Sequence, residues 1–290
     1  MILVTGATGQ LGQRITDHLI AKVGASHVAV SVRDPNKAEA QALLKRGVSV
    51  RQGNFDDPAG LAQAFAGIDK LVIVSTDGPK DVRIGQHRNA INAAKVAGVK
   101  HILYTSFVDV AADSPAEFAA VHRATEADLV ISGLKVTLLR NTLYADFLPM
   151  TLGDALNSGV FYLPAGQGKT SFVSRDELAQ AIAAAAAAPQ LAKDVYELTG
   201  PTTHSYEEVA AAVARVTGKP VRYQPVAEGD YAKTLEGFGL PAWFAAALAN
   251  MYVAVAVGKF DRVSNDFALL LGHPPKSLDC LVAGMFAPKN

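Results

Sequence analysis

Three glycines within seven residues carry the strongest chemical signal in the chain: Gly6-Ala7-Thr8-Gly9-Gln10-Leu11-Gly12. The run follows the apolar stretch Ile2–Thr5 and opens a segment in which Leu11, Ile15, Leu19 and Ile20 keep a helical spacing. Gly6 permits a tight turn, Gly9 lets backbone approach a pyrophosphate, and Gly12 allows a helix to pack closely. The helix N-terminus supplies free N–H groups and a favourable dipole. Glycine turns are common, but this one has a strand before it, a helix after it and a second strand near residue 30, which is the context of a dinucleotide site. Arg33 ends that second strand. An acidic residue there accepts from the ribose hydroxyls of NAD, whereas an arginine favours the 2′-phosphate of NADP. The expected cofactor is therefore NADPH. Asp34-Pro35, directly after, reads as a helix cap with proline at the first helical position.

Further cofactor contacts are expected at other strand ends. Asn54-Phe55-Asp56-Asp57 follows the third strand, beside the adenine in this architecture. Asp56 either accepts from the adenine amine or shares in capping the next helix, a role that suits Asp57-Pro58. Ser75-Thr76-Asp77-Gly78 ends the fourth strand and is expected beside the ribose and pyrophosphate, with an ordinary strand-end turn as the alternative. Asn141 follows the sixth strand, where a nicotinamide lies.

These residues need a scaffold, and the first half of the chain supplies its pattern. Short runs rich in Val, Ile and Leu at Ile2–Thr5, Val28–Val32, Val48–Arg51, Lys70–Val74, His101–Thr105 and Lys135–Leu139 read as strands buried on both faces. Helical segments separate them, and Gly47, Gly67, Gly98 and Gly133 each precede a strand, where a helix C-terminus favours glycine. Strict alternation implies right-handed βαβ units: an α/β fold with a Rossmann-type doubly wound parallel sheet. Residues 1–150 are expected to form the nucleotide-binding domain. Residues 151–290 form a smaller mixed α/β region on the substrate side, interleaved with the first. After Arg140 the chain reads as a helical run at Ala145–Asn157, an alanine-rich helix ending at Pro189, a helix at Tyr206–Thr217 and short strands at Val195–Leu198 and Val221–Gln224. Arg175 and Asp176 are expected either to pair and cap a helix beginning near Glu177 or to serve binding.

Composition excludes several classes. Lys plus Arg and Asp plus Glu are both 27, so the net charge is zero and nucleic acid is not an expected partner. The single cysteine, Cys280, rules out an intramolecular disulfide and any multi-cysteine metal site. No metal is expected. Met1 leads straight into Ile2-Leu3-Val4 without a basic start, and a cytoplasmic location is expected. Trp243–Val257 is apolar but shorter than the ~20 residues that span a bilayer. Phe244, Leu248, Met251 and Tyr252 fall there at helical spacing and are expected in the core or at a homodimer interface, with a substrate wall as the alternative.

Thr5–Gly12, Arg33, Gln86–Lys95, Tyr104-Thr105-Ser106 and Leu138-Leu139-Arg140-Asn141 together resemble the NmrA-like branch of the atypical short-chain dehydrogenase/reductase family. So do Val195–Leu198 and Leu271-Gly272-His273-Pro274, so the resemblance covers nearly the whole chain. It implies an NADPH-dependent reductase acting on a quinone-like acceptor, and it places Ser106, Arg140, Asn141 and Thr142 with the cofactor contacts. The branch also contains dinucleotide-binding regulators with little turnover, which is the competing reading. Most dehydrogenases of the superfamily use a tyrosine with a lysine four positions on, and none of the eight tyrosines here has that partner. A quinone does without the dyad, because the cofactor carries the hydride chemistry and the protein positions donor and acceptor. Tyr104, His122 and Tyr144 are the candidate catalytic donors to the reduced oxygen. His122 lies on the helix after the fifth strand, and an imidazole there is expected to donate near neutral pH, with a plain helix histidine as the alternative.

Overall fold

The computed structural model describes residues 1–287; the last three residues of the expected second region lie outside it. Six strands alternate with helices as the apolar runs require. They are β1 (Ile2–Thr5), β2 (Val28–Val32), β3 (Ser49–Gln52), β4 (Lys70–Ile73), β5 (His101–Phe107) and β6 (Lys135–Asn141). The helices between them are α1 (Gln10–Val23), α2 (Ala38–Lys45), α3 (Pro58–Ala64), α4 (Lys80–Val96) and α5 (Glu117–Ile131). Helix α6 (Arg175–Ala187) leads into a seventh strand, β7 (Val195–Leu198). The sheet order is β7-β6-β5-β4-β1-β2-β3, and the pairings from β3 through β6 are all parallel. Strand order reverses between β1 and β4, so the glycine turn leaves β1 at the switch point where such sheets bind ligands.

All five residues of β2 are buried, as are Leu3 and Val4 of β1, which explains why these runs are apolar without alternation. One face of the sheet packs Leu3, Leu71, Ile73, Ile102 and Tyr104 against Leu61 and Phe65, Ala90 and Ile91 of α4, and Leu129 of α5. Helix α3 starts as the Asp57-Pro58 pair dictates: Asp57 Oδ1 accepts from the Gly60 N–H at 3.1 Å, with proline in the first turn.

The matching expectation at Asp34-Pro35 is corrected. The Asp34 carboxylate accepts from the Asn36 N–H, two residues on, and closes a turn; α2 begins only at Ala38. The helical run expected over Ala145–Asn157 is broken into a 3₁₀ turn and two short helices, Leu148–Leu152 and Ala155–Ser158, with Gly153 at φ +51° between them. Arg175 and Asp176 do not cap a helix from outside. Helix α6 starts at Arg175, and Asp176 accepts from Nε2 of His18 on α1 at 2.8 Å and from Gln180.

The chain forms two compact units, each assembled from separate stretches. The first comprises Met1–Phe107, Val121–Asn141 and Arg175–Tyr196. Within it α6 packs along α1, and Lys70 donates to the carbonyls of Ala186 (2.9 Å) and Ala188 at the C-terminal end of α6. The second comprises Val108–Ala120, Thr142–Ser174 and the chain from Glu197 onward. It contains two-stranded pairings of Leu143-Tyr144 with Phe172-Val173 and of Val160–Leu163 with Arg222–Pro225, together with helices Tyr206–Thr217 and Ala242–Ala256. In the last helix Tyr252 is buried with its hydroxyl 3.1 Å from Thr151 Oγ1, whereas Phe244, Leu248 and Met251 are half-buried. No helix among the described residues is long and apolar enough to cross a membrane.

Removing the α3 cap isolates one local term. Asp57→Ala is expected to cost about 1 kcal/mol, read as a lower urea midpoint with unchanged slope.

Candidate active site

The glycine run forms a turn that leaves the start of α1 open. Gly6 has φ +63°, and the Gly9 N–H donates to the Gly6 carbonyl at 2.9 Å. A Cβ on Gly12 would lie 2.2 Å from the Gly6 oxygen, which excludes any side chain there. A Cβ on Gly9 would lie 3.2 Å from the same oxygen. No side chain caps α1 and no acidic residue lies in its first turn, so its leading N–H groups and positive dipole end stay available. Gly6, Thr8, Gly9 and Gln10 are exposed, whereas Ala7, Leu11 and Gly12 are buried against the scaffold. Arg33 is exposed at the end of β2, and no carboxylate among the described residues pairs with its guanidinium. An uncapped glycine cradle with a free arginine at the neighbouring strand end has the donors a phosphorylated dinucleotide requires.

The loop after β3 is held by α4. Gln86 Nε2 donates to Asp56 Oδ1 at 3.1 Å, Asn89 donates to the Phe55 carbonyl at 2.9 Å, and the Asp56 N–H is taken by Asn54. Asp57 takes the capping role, and the Asp56 carboxylate is oriented by Gln86. Ser75 and Thr76, just past β4, are half-buried and pinned by their backbone amides, Ser75 to Thr105 Oγ1 (2.9 Å) and Thr76 to His87 Nε2 (3.0 Å).

Ser106 and Arg140 turn inward. Ser106 Oγ donates to Glu126 Oε1 at 2.6 Å, and Arg140 grips the same carboxylate with Nε (2.9 Å) and Nη2 (2.6 Å). This bidentate pair is mostly buried, so its partners are costly to separate. Arg140 thus spends its fork on Glu126, a residue not anticipated from the sequence, instead of presenting it fully to a ligand. Asn141 is buried at the end of β6. Thr142 belongs to the second unit, where it is buried; its amide donates to the Leu198 carbonyl and its hydroxyl to that of Ser171.

Tyr104 and His122 are brought together, with the phenol oxygen 2.8 Å from His122 Nδ1. Both are buried, Tyr104 completely, and the His122 ring stacks on Phe107 at 5.6 Å. Burial, with Arg83 and His87 as further contributors, holds the His122 pKa well below its ordinary value. That direction disfavours the charged ring from which a proton would be donated near neutral pH. Tyr144, in the second unit, is half-buried and stacks on Phe147 at 6.1 Å. His87 and Glu126 are the residues sequence reading missed. Each lies in a quoted or adjacent stretch, but only the fold shows that they hold the strand ends.

A family model described as the NmrA-like family matches residues 1–270. Quinone oxidoreductase 2 of Escherichia coli is 39% identical over 290 residues, covering all of both chains. The structure of the NADPH-dependent quinone oxidoreductase from E. coli complexed with NADPH superposes with a TM-score of 0.92, covering 99% of this chain and 100% of that one. The Citrobacter sp. triphenylmethane reductase complexed with NADP(H) is 35% identical, with a TM-score of 0.90 and coverage of 98% and 99%. The chain belongs to the NmrA-like family.

The buried histidines fix the sign of an acid effect. His87 is lowered to about 3, so the unfolded chain binds protons that the folded chain refuses. Stability is therefore expected to fall as pH drops from about 6.5 toward 3, by up to ~1.4 kcal/mol per pH unit per buried ring. Urea midpoints between pH 7 and 5 should decline more steeply for wild type than for His87→Gln.

Proposed function

We propose that this protein is an NADPH-dependent reductase that transfers a hydride to a quinone or a similar conjugated acceptor. The observation that carries the reading is the open glycine cradle with Arg33 unpaired beside it, in a chain 39% identical end to end to an E. coli quinone oxidoreductase. NADPH, when bound, supplies the hydride; the chain supplies binding, orientation and a water-poor environment. In this reading the turn Gly6–Gly12 and the first amides of α1 receive the pyrophosphate. Arg33 pairs with the 2′-phosphate, and Asp56 accepts from the adenine amine. Ser75, Thr76 and Asn141 line the ribose and nicotinamide path.

Tyr104 and His122 are buried among polar partners of the core, each other at 2.8 Å, His87 beside the phenol and Arg83 beside His122 Nε2, so neither is offered as an obligatory acid. Of the three proton-donor candidates only Tyr144 is partly exposed. An electrophilic acceptor needs little acid assistance, and the absence of a tyrosine–lysine dyad is consistent with that chemistry.

Cofactor preference tests the reading. Losing a charge-assisted contact costs about 1.5–3 kcal/mol, and an exposed arginine belongs at the low end. Arg33→Ala is expected to weaken NADPH binding about tenfold and to leave NADH nearly unchanged. Wild type is expected to oxidise NADPH faster when benzoquinone is added, above the non-enzymatic rate. Equal losses for both cofactors would remove Arg33 from the site. Absence of turnover with every quinone tried would favour a dinucleotide sensor.

A further inference from the structure

We infer that His87 is a positioning residue: a neutral ring, protonated on Nδ1, that holds Thr76 so that it presents hydrogen-bond acceptors to a ribose of the dinucleotide. The inference rests on the cofactor reading above, and it adds a residue and a protonation state to it.

The hydrogen-bond partners fix the ring's state. His87 lies on α4 and is fully buried. Its Nδ1 is 2.9 Å from Thr125 Oγ1. The Thr125 hydroxyl has one hydrogen, and donating it to the Val121 carbonyl at 2.9 Å leaves its oxygen to accept from Nδ1, which also lies 3.4 Å from the Tyr104 hydroxyl. Nδ1 therefore carries the proton. On the other side the Thr76 backbone N–H points at Nε2 from 3.0 Å, and an amide N–H only donates. Nε2 must be an unprotonated acceptor. A ring with one donor and one acceptor is neutral, and burial with the neighbouring Arg83 charge keeps it so.

This contact closes a series. As the chain leaves β4, three successive amides find side-chain partners instead of a sheet neighbour. Val74 donates to Thr5 Oγ1 of β1 at 3.0 Å, Ser75 to Thr105 Oγ1 of β5 at 2.9 Å, and Thr76 to His87 of α4. Buried backbone donors demand partners, and here those partners fix the path of the segment that leaves the sheet next to β1. The Thr76 hydroxyl also reaches Nε2, at 3.2 Å. Both donors of Thr76 converge on one imidazole nitrogen, so the residue retains its carbonyl and hydroxyl oxygens as acceptors. Acceptors suit the hydroxyls of a ribose and repel phosphate oxygens. The segment is thus matched to ribose, while the glycine turn is matched to the pyrophosphate.

Two amide substitutions separate positioning from packing. In His87→Gln the amide oxygen reaches the place of Nε2 and can accept from Thr76. In His87→Asn the amide nitrogen replaces Nδ1 and keeps the Thr125 contact, but offers nothing to Thr76. NADPH titration of the full chain is expected to give a Kd within about threefold of wild type for Gln and about tenfold weaker for Asn. The Asn variant should raise the KM for NADPH and leave kcat at saturation within about twofold. A packing role alone would move both variants alike, and equal losses with normal wild-type binding would overturn the inference while leaving the cofactor reading intact. Ring ¹⁵N shifts of the wild-type protein at pH 7 provide a measurement that does not depend on either variant folding. They should show Nε2 unprotonated, and an Nε2–H tautomer or an imidazolium would overturn the assignment. Wild-type protein that fails to bind NADPH would overturn the proposed function, and with it the ribose role of Thr76.

Discussion

The close passage of α1 over the turn at Gly6 is the constraint on which the rest of this site depends. With the Gly6 oxygen 2.2 Å from where a Cβ of Gly12 would stand, helix and turn meet with no side chain between them. That approach brings the start of α1 directly over the end of β1, so the N-terminal amides and dipole are aimed at the switch point of the sheet. Helix α6 packs along α1, and the His18–Asp176 contact joins the two. An alanine-rich α6 fits that close packing, because the depth between helices is set by small side chains on its buried face.

A second layer of constraint is polar. Strand ends are where ligands bind in this architecture, and strand ends expose backbone donors that need partners. Thr5, Thr105 and His87 meet that need after β4. Glu126 gathers Ser106 and Arg140 at the ends of β5 and β6. These side chains tie the mouth of the sheet to α4 and α5. A tyrosine–lysine dyad would put a cationic amine among them. Here the buried titratable residues of α5 are a histidine whose protonated form burial disfavours and a carboxylate already matched by an arginine.

Much of this was legible in the sequence, for identifiable reasons. The runs Ile2–Thr5 and Val28–Val32 have the boundaries their composition implied, because strands in the middle of such a sheet are buried on both faces and largely apolar; Val195–Leu198, at the sheet edge, also has its expected bounds but alternates half-buried and buried residues. The Asp57-Pro58 cap and the glycine turn were legible because each requires particular residues at fixed spacing. Asp34-Pro35 misled because an aspartate closes a two-residue turn with the same atoms it uses to cap a helix. The place of Val195–Leu198 beside β6 was not legible, since periodicity identifies a strand but not its neighbour. Nor were His87 and Glu126: their partners lie 11 to 38 residues away, and only the fold brings them together.

The central claim is that this chain binds NADPH in one orientation and directs its hydride to a quinone. Single-turnover oxidation by benzoquinone, with NADPH deuterated on one or the other face of nicotinamide C4, tests this most directly. The reaction is expected to slow when deuterium is on one face and to keep its rate when it is on the other, because a bound nicotinamide presents a single face to the acceptor. Equal isotope effects for the two faces, at the rate of free NADPH in solution, would contradict it.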